Sequence, residues 1–428
     1  MVMTRQLLHN NAHRGLIGLY LLATIGCGSF SPQPLDQVPF MERAVTKVKG
    51  EVRVTAAVLS REETQQVFDL DLYGKGIQPI WLEIKNESPR DYWFVRRGLD
   101  PYYFAPLEVA YMNHYWFSPD TNTKMDRFFY QYTMGNYIPP GGIQSGFMFT
   151  NLDEGTKSFS VDLWSADNQI RTYTFFIPVP GLKIDHREID IDAIYSSKEI
   201  VRFSLEQENE FKKALEALPC CTTNKDGTEM GDPLNLVILG KKKSFDIYHA
   251  FMRAGWDETE TIHTGSAFQT GISALFGAKY RYSPVSALYV FGRAQDAALQ
   301  KARGSIHLRN HLRLWLTPMI FDGYEVWVGQ ISRDIGVRFT TKTITTHKID
   351  PDVDETRDFL TEDLAYSNGL AKTAYVKGVK PALIQEPRSN LTGDPYFTDG
   401  YRLVMWLSSK PVSIAEIEFL DWERPPER

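Results

Sequence analysis

The segment Ser305-Ile-His-Leu-Arg-Asn-His-Leu-Arg-Leu-Trp315 separates cleanly when read with a period of two. Ile306, Leu308, Leu312 and Leu314 fall on one side, with Asn310 the exception. His307, Arg309, His311, Arg313 and Trp315 fall on the other. Successive side chains of a strand point to opposite faces, so this pattern predicts a strand over 306–316. One face is oily; the other is made of imidazoles and guanidiniums. Alternate side chains stand roughly 6.7 Å apart along a strand, close enough for neighbours to share one phosphate or carboxylate. A face with four potential cations implies that anions or carboxylates lie opposite it.

The same alternation, broken by turn signals, recurs through residues 45–180. It predicts strands at Val52–Leu59, Pro79–Ile84, Ile143–Thr150, Ser158–Trp164 and Arg171–Ile177, and hence an all-β sandwich. The aromatic-rich stretch Asp100–Tyr137 reads first as core or interface packing, and second as an exposed contact surface. Residues 181–222 read as a connector, with a helix over Ser197–Leu218. From residue 223 the pattern changes. Leu234–Leu239 is a buried-strand run, followed by an amphipathic helix over Lys241–Ala254 with Gly255 as its C-cap. Strands follow at Val285–Phe291, Tyr324–Ile331, Val337–Thr341 and Arg402–Leu407, with Asp322-Gly323 as a hairpin turn. Asp354–Leu364 reads as a helix started by Asp354. The expected fold is multidomain: a β-sandwich, then an α+β domain over 223–410 with a mixed or antiparallel sheet. Residues 411–428 read as a tail.

Composition adds little to this picture except at the N-terminus. The chain has 428 residues, 43% of them hydrophobic and 23% charged, enough for two or three domains. Its net charge of −6 argues against a general nucleic-acid binder. Arg5 and Arg14 precede an apolar run, Gly15–Gly26, and then Cys27. Twelve apolar residues are too few to span a bilayer, so the run reads as a signal peptide over 1–26. Its Ile25-Gly26-Cys27 ending resembles a bacterial lipobox, with a departure at Thr24 where Leu is usual. The resemblance implies that Cys27 is lipidated and becomes the mature N-terminus, followed by a linker over 27–44. Gly28 implies outer-membrane sorting, on the periplasmic side, where such a membrane exists. A conventional cleaved signal and an uncleaved anchor are the alternatives. Removing residues 1–26 takes away two cations and no carboxylate, leaving a mature net charge of −8. The other cysteines, Cys220 and Cys221, are adjacent and form no zinc motif, and they read as thiols with no catalytic role.

Over about residues 215–410 the chain resembles the LssY C-terminal domain family. The matching segments include Gly231-Asp-Pro-Leu-Asn-Leu-Val, Ala254-Gly-Trp256, Ser283-Pro-Val-Ser286 and Leu288-Tyr-Val-Phe-Gly-Arg293. They continue through Arg309-Asn-His-Leu-Arg-Leu-Trp315, Val326-Trp-Val-Gly329 and Thr346-His-Lys-Ile-Asp-Pro-Asp-Val-Asp354. The resemblance implies a domain that occurs alone or fused to membrane modules, among them phosphatidic-acid-phosphatase and DedA types. It implies no activity.

Three polar groups are candidates for one site. The basic strand supplies His307, Arg309, His311 and Arg313. A second segment supplies His347, Asp350, Asp352 and Asp354, with Arg357 one helical turn on. Arg293 with Asp296 is the third, and Asp334 is placed to join from the neighbouring hairpin arm. As an anion or lipid-headgroup site, Arg293, His307, Arg309, Arg313 and Arg357 would hold the ligand. As a phosphoester hydrolase, His311 or His347 would be nucleophile or general acid/base, with Asp334, Asp350 and Asp352 as acidic partners and Arg309 and Arg313 clamping the phosphoryl oxygens. A metal variant would use His311, His347 and Asp350 or Asp352. The same residues also make a structural ion-pair network, with Asp354–Arg357 a plain i,i+3 pair. No HExxH, GxSxG, Walker or dinucleotide motif is present in the right context, and the residues leave the cofactor and metal unknown. The leading expectation is a lipid-anchored envelope protein acting as a binding or accessory module on anionic lipid or exported material. The alternatives are a phosphoester hydrolase and a scaffold among envelope proteins. An open, flat basic face favours binding; His311 and His347 sunk beside an acid favour catalysis.

Overall fold

The computed structural model describes residues 29–153, 155–180, 195, 199–241, 246–258, 287–302, 309–338 and 346–426. Cys27, His307 and the segment 283–286 lie outside them. The chain divides into two compact units. The first comprises residues up to Leu152 with Ser160–Tyr173, and the second Asp153–Phe159 with Thr174 onward.

The N-terminal strands form two four-stranded antiparallel sheets. One runs in the order Val45–Lys49, Val52–Val58, Ile77–Asn86, Ile143–Asn151. The other runs Tyr137–Ile138, Tyr92–Val95, Thr156–Ser165, Ile170–Pro178. Period-two alternation places Val54, Ile80, Leu82 and Ile84 on one face of the first sheet, fully buried. The opposite face is covered by helices that the all-β expectation omitted. Arg61–Phe68, Pro106–Tyr111 and Pro119–Gln131 lay Val67, Phe68, Val109, Met125 and Phe129 on Ala57, Phe147 and Phe149. Their start signals were in the sequence. Ser60 and Glu63 form a reciprocal capping box, and Pro106 and Pro119 sit at first helical positions.

The second unit is built on a ten-stranded mixed sheet. Its main path runs Asp257–Glu258, Ala297–Ala302, Arg309–Phe321, Tyr324–Arg338, Leu236–Gly240, Tyr401–Leu407, Leu370–Lys377, Glu418–Phe419. Leu236–Gly240 pairs in parallel with Tyr401–Leu407, and most other neighbours are antiparallel. The Arg309–Phe321 and Tyr324–Arg338 strands are joined at Asp322-Gly323, both at positive φ, as a type I′ hairpin requires. Tyr324–Arg338 merges two expected strands into one.

Helices Asp246–Arg253 and Val353–Tyr366 cover one sheet face, where Leu312, Leu314 and Leu316 meet Ile238, Leu360 and Leu403. The other face packs Val237, Leu239, Val326 and Trp406 under Phe211 and Leu215 of helix Glu208–Glu216. That helix is shorter than expected. Val201–Phe203 instead pairs in parallel with Met319–Phe321. The expected tail is also structured: Glu418–Phe419 adds an edge strand beside Lys372–Thr373, and Trp422 packs edge-on to Trp406.

Candidate functional site

The alternation of the basic strand is realised from Arg309 onward. Leu312 and Leu314 enter the helix-covered core. Arg309, His311, Arg313 and Trp315 take the opposite face, and Trp315 packs with Leu234, Leu288, Val290 and Val328. The register then supplies neighbours that no local pattern reveals. His311 sits across from Gln300 on one side and Ser332 on the other, and Arg313 across from Gln330. Asp334 lies two residues beyond Ser332 on the same face.

These groups converge. His311 Nε2 is 3.0 Å from Asp334 Oδ2, and Arg309 Nε is 3.5 Å from the same oxygen. Arg309 Nη1 donates to Gln300 Oε1 at 2.6 Å, and Arg313 Nη1 donates to Gln330 Oε1 at 2.9 Å. Asp232, from the short strand Met230–Pro233, provides a second carboxylate near Arg313 and accepts from Asn390 Nδ2 at 3.0 Å. The face is not open. Arg309 is 3% exposed, His311 and Arg313 6%, and Asp334 2%. An exposed plane for lipid headgroups is therefore not what this strand presents.

Burial sets the protonation states. It pushes the His311 imidazole down to about 4; Asp334 opposes the shift, and Arg309 and Arg313 add to it. The ring is neutral at pH 7. Burial also lowers Arg313, to about 10, against the pull of Asp232 and Asp334, so it stays a cation. Asp232 is pushed up by its own burial, with Arg313 opposing. The His311 shift has a measurable consequence. As pH falls, the unfolded chain takes up the proton near the ordinary value of 6.5, while the folded chain resists until about 4. Stability from this group is thus complete above 6.5 and lost towards 4, by at most on the order of 3 kcal/mol. Asp232, with its raised value, acts in the opposite sense. Denaturant unfolding of wild type and His311→Asn at about pH 7 and pH 5 separates the two. The variant should lose distinctly less stability on acidification; an equal loss would refute the assignment.

Among the described side chains, Arg293, Arg357, Asp350 and Asp352 make other contacts. Arg293 is held by Asp296 through two hydrogen bonds, of 2.8 and 2.7 Å, and donates to Leu316 O. Arg357 is buried against Asp399 and Asp354 rather than facing a ligand. Asp352 is the N-cap of helix Val353–Tyr366, accepting from the backbone N–H groups of Asp354 and Glu355. It, and not Asp354, starts that helix. Asp350 accepts from the N–H of Asp352, as a turn residue does. Both carboxylates thus accept from their own backbone, in turn and cap roles. His347 is in the strand Thr346–Ile349, paired through its backbone with Val337. Its side chain is outside the described residues. Among the described residues no three His, Cys, Asp or Glu side chains are grouped to hold a metal.

Gln300, Gln330, Asp232 and Asn390 were missed from the sequence. Asp232 alone carried a signal, standing beside Gly231 and Pro233 ahead of a buried strand. The glutamines become visible only through cross-strand register.

The family model described as LssY C-terminus matches residues 213–401, which hold the strands Arg309–Phe321, Tyr324–Arg338 and Leu236–Gly240 and the whole Arg/His/Asp cluster. No curated protein matches the chain.

Proposed function

Starting from an LssY C-terminal domain over residues 213–401, we propose that the chain is a lipid-anchored protein of the bacterial envelope, held at Cys27, on the periplasmic side of an outer membrane where one exists. Its LssY domain is a binding module for an anionic group of envelope lipid or exported material. One observation carries the ligand class: Arg309, His311 and Arg313 project from one sheet face around Asp334. The face is enclosed and is not the open, flat one expected of a binding surface, so the ligand that suits it is a single phosphate or carboxylate and not a plane of headgroups. Guanidiniums suit this because they remain charged when buried and present paired donors to oxyanions.

A second reading, phosphoester hydrolysis, draws support from the 3.0 Å His311–Asp334 contact. A neutral imidazole oriented by a carboxylate is equipped to act as base or nucleophile, with the two guanidiniums on the phosphoryl oxygens.

Both readings are tested on the full-length protein with inorganic phosphate and with phosphatidic-acid vesicles. Wild type should gain thermal stability with phosphate, and Arg313→Gln should lose most of that gain while still unfolding cooperatively. No gain in wild type, or an equal gain in the variant, would sink the binding reading and leave the cluster as an internal pin of the sheet. Phosphate release from phosphatidic acid that disappears in both His311→Asn and Asp334→Asn would establish the hydrolase instead.

A further inference from the structure

The chain between helices Pro106–Tyr111 and Pro119–Gln131 leaves large rings in water. Trp116 is 94% exposed, Phe117 71% and Tyr111 75%, with Leu107 and Met112 also outside the core. From Val109 to Pro119 there is no Lys, Arg, Asp or Glu, in a chain where 23% of residues are charged. Monomeric proteins seldom expose contiguous apolar surface unless something covers it.

The rings are presented on a braced loop. Asn122 Oδ1 accepts from the Tyr115 N–H at 2.8 Å, and Asn122 Nδ2 donates to Tyr115 O at 2.9 Å. His114 Nε2 lies 2.8 Å from Asp126 Oδ1, and Asn113 Nδ2 donates to Val109 O. The Tyr111 ring stands edge-on to His114 at 5.3 Å. Tyr115 itself turns inward to the core, so the exposure of Trp116 and Phe117 is not that of a loose loop.

The location of this tip names its partner. Tyr115 Oη donates to Ser29 O at 3.1 Å. Cys27 is two residues before Ser29, at most about 7 Å of extended chain. A lipid carried there would hold the bilayer near the end of the chain segment that Tyr115 binds, one residue from Trp116. Trp and Tyr favour the headgroup level, where a ring is desolvated while its polar edge stays wet. The segment Val109–Pro119 brings no formal charge of its own to that layer, and the Lys75 ammonium, which donates to Met112 O beside it, suits anionic headgroups. We infer that Leu107, Tyr111, Met112, Trp116 and Phe117 form a membrane-interface contact. It seats the N-terminal unit on the bilayer to which the chain is anchored, and sets its orientation there. The inference rests on the anchored reading proposed above.

Quenching by acyl-brominated lipid tests it. The mature protein is purified from membranes and reconstituted into phosphatidylethanolamine–phosphatidylglycerol vesicles. Shallow bromines should quench a share of the fluorescence close to that of one of the nine tryptophans, and Trp116→Phe should remove that share. Absent quenching, or quenching unchanged by Trp116→Phe, would overturn the contact. So would a wild-type dimer in solution that Trp116→Ala/Phe117→Ala converts to monomer, since a second copy would then be the occupant. Attachment is read separately, by whether Cys27→Ser releases the protein from washed membranes. Release with no Trp116 quenching in wild type would defeat the contact and keep the anchor. Both substituted rings are exposed, so unchanged thermal unfolding serves as the folding control.

Discussion

Arg357→Ala should destabilise the second unit by about 3–5 kcal/mol, the range for breaking a buried pair from one side. Arg357 donates Nη1 and Nη2 to the two oxygens of Asp399 at 3.0 and 2.8 Å, and Nη1 also reaches Tyr401 O at 2.9 Å. Its Nη1 is 3.3 Å from Asp354 Oδ1, and its guanidinium lies over the Tyr375 ring. Burial alone would lower its pKa, but the hydrogen bonds to Asp399 and the charge of Asp354 raise it. Alanine leaves two buried carboxylates facing each other. Asp354 is already pushed up by burial, with Arg357 opposing, and loses that counterweight in the variant. Asp354 then prefers still more to be protonated. The deficit of Arg357→Ala should therefore be largest near pH 7 and shrink as pH falls towards 4. Arg357→Lys should restore little, because a single ammonium cannot make the paired contact. Denaturant midpoints of the three proteins across that range provide the measurement. A deficit independent of pH would show that lost packing, and not charge, sets the cost.

Arg402→Ala should cost at least about 3 kcal/mol for a different reason. Arg402 is fully buried, yet what holds it is a ring of backbone carbonyls. Nε donates to Leu234 O at 2.9 Å, and Nη2 to Leu218, Pro219 and Gly378 O at 2.9, 2.6 and 3.0 Å. Nη1 donates to Leu215 O. Helix Glu208–Glu216 ends among these carbonyls, and a helix C-terminus carries partial negative charge that favours a cation. Burial lowers the guanidinium to about 10, which still leaves it charged at pH 7. Removing it strands several acceptors, each worth about 1–3 kcal/mol where water cannot follow. Gly378 allows the approach: a Cβ there would lie 2.5 Å from Arg402 Nη1. Hydrogen exchange should show the last turn of Glu208–Glu216 opening first in the variant, along with a lowered global midpoint. Unchanged protection in that turn would mean the carbonyls find other partners.

The sequence determined the local periods. Alternation from Arg309 to Trp315, the Asp322-Gly323 turn, Gly255 as a C-cap and the strands of the first unit follow from side-chain period and backbone φ, which are local quantities. It also determined which strand face is basic. What it could not fix was what each charge meets. Asp334 reaches His311 because two long strands pair in one register, and a one-residue slip would turn it to the opposite face. Arg357 finds Asp399 across 42 residues, and Arg402 finds Leu215 across 187. Both look in the sequence like ordinary helix or strand cations. Asp350 and Asp352 make local turn and cap bonds two or three residues along the chain, whereas Asp334 meets its imidazole only through the pairing of two strands. Exposure was equally out of reach. The aromatic run Tyr111–Phe117 has the composition of a core, and only the packing of two short helices leaves Trp116 outside it while Phe129 goes in. Hydrophobicity and period are properties of the chain, whereas burial and ion pairing depend on which distant segment arrives, and that is decided by the tertiary fold.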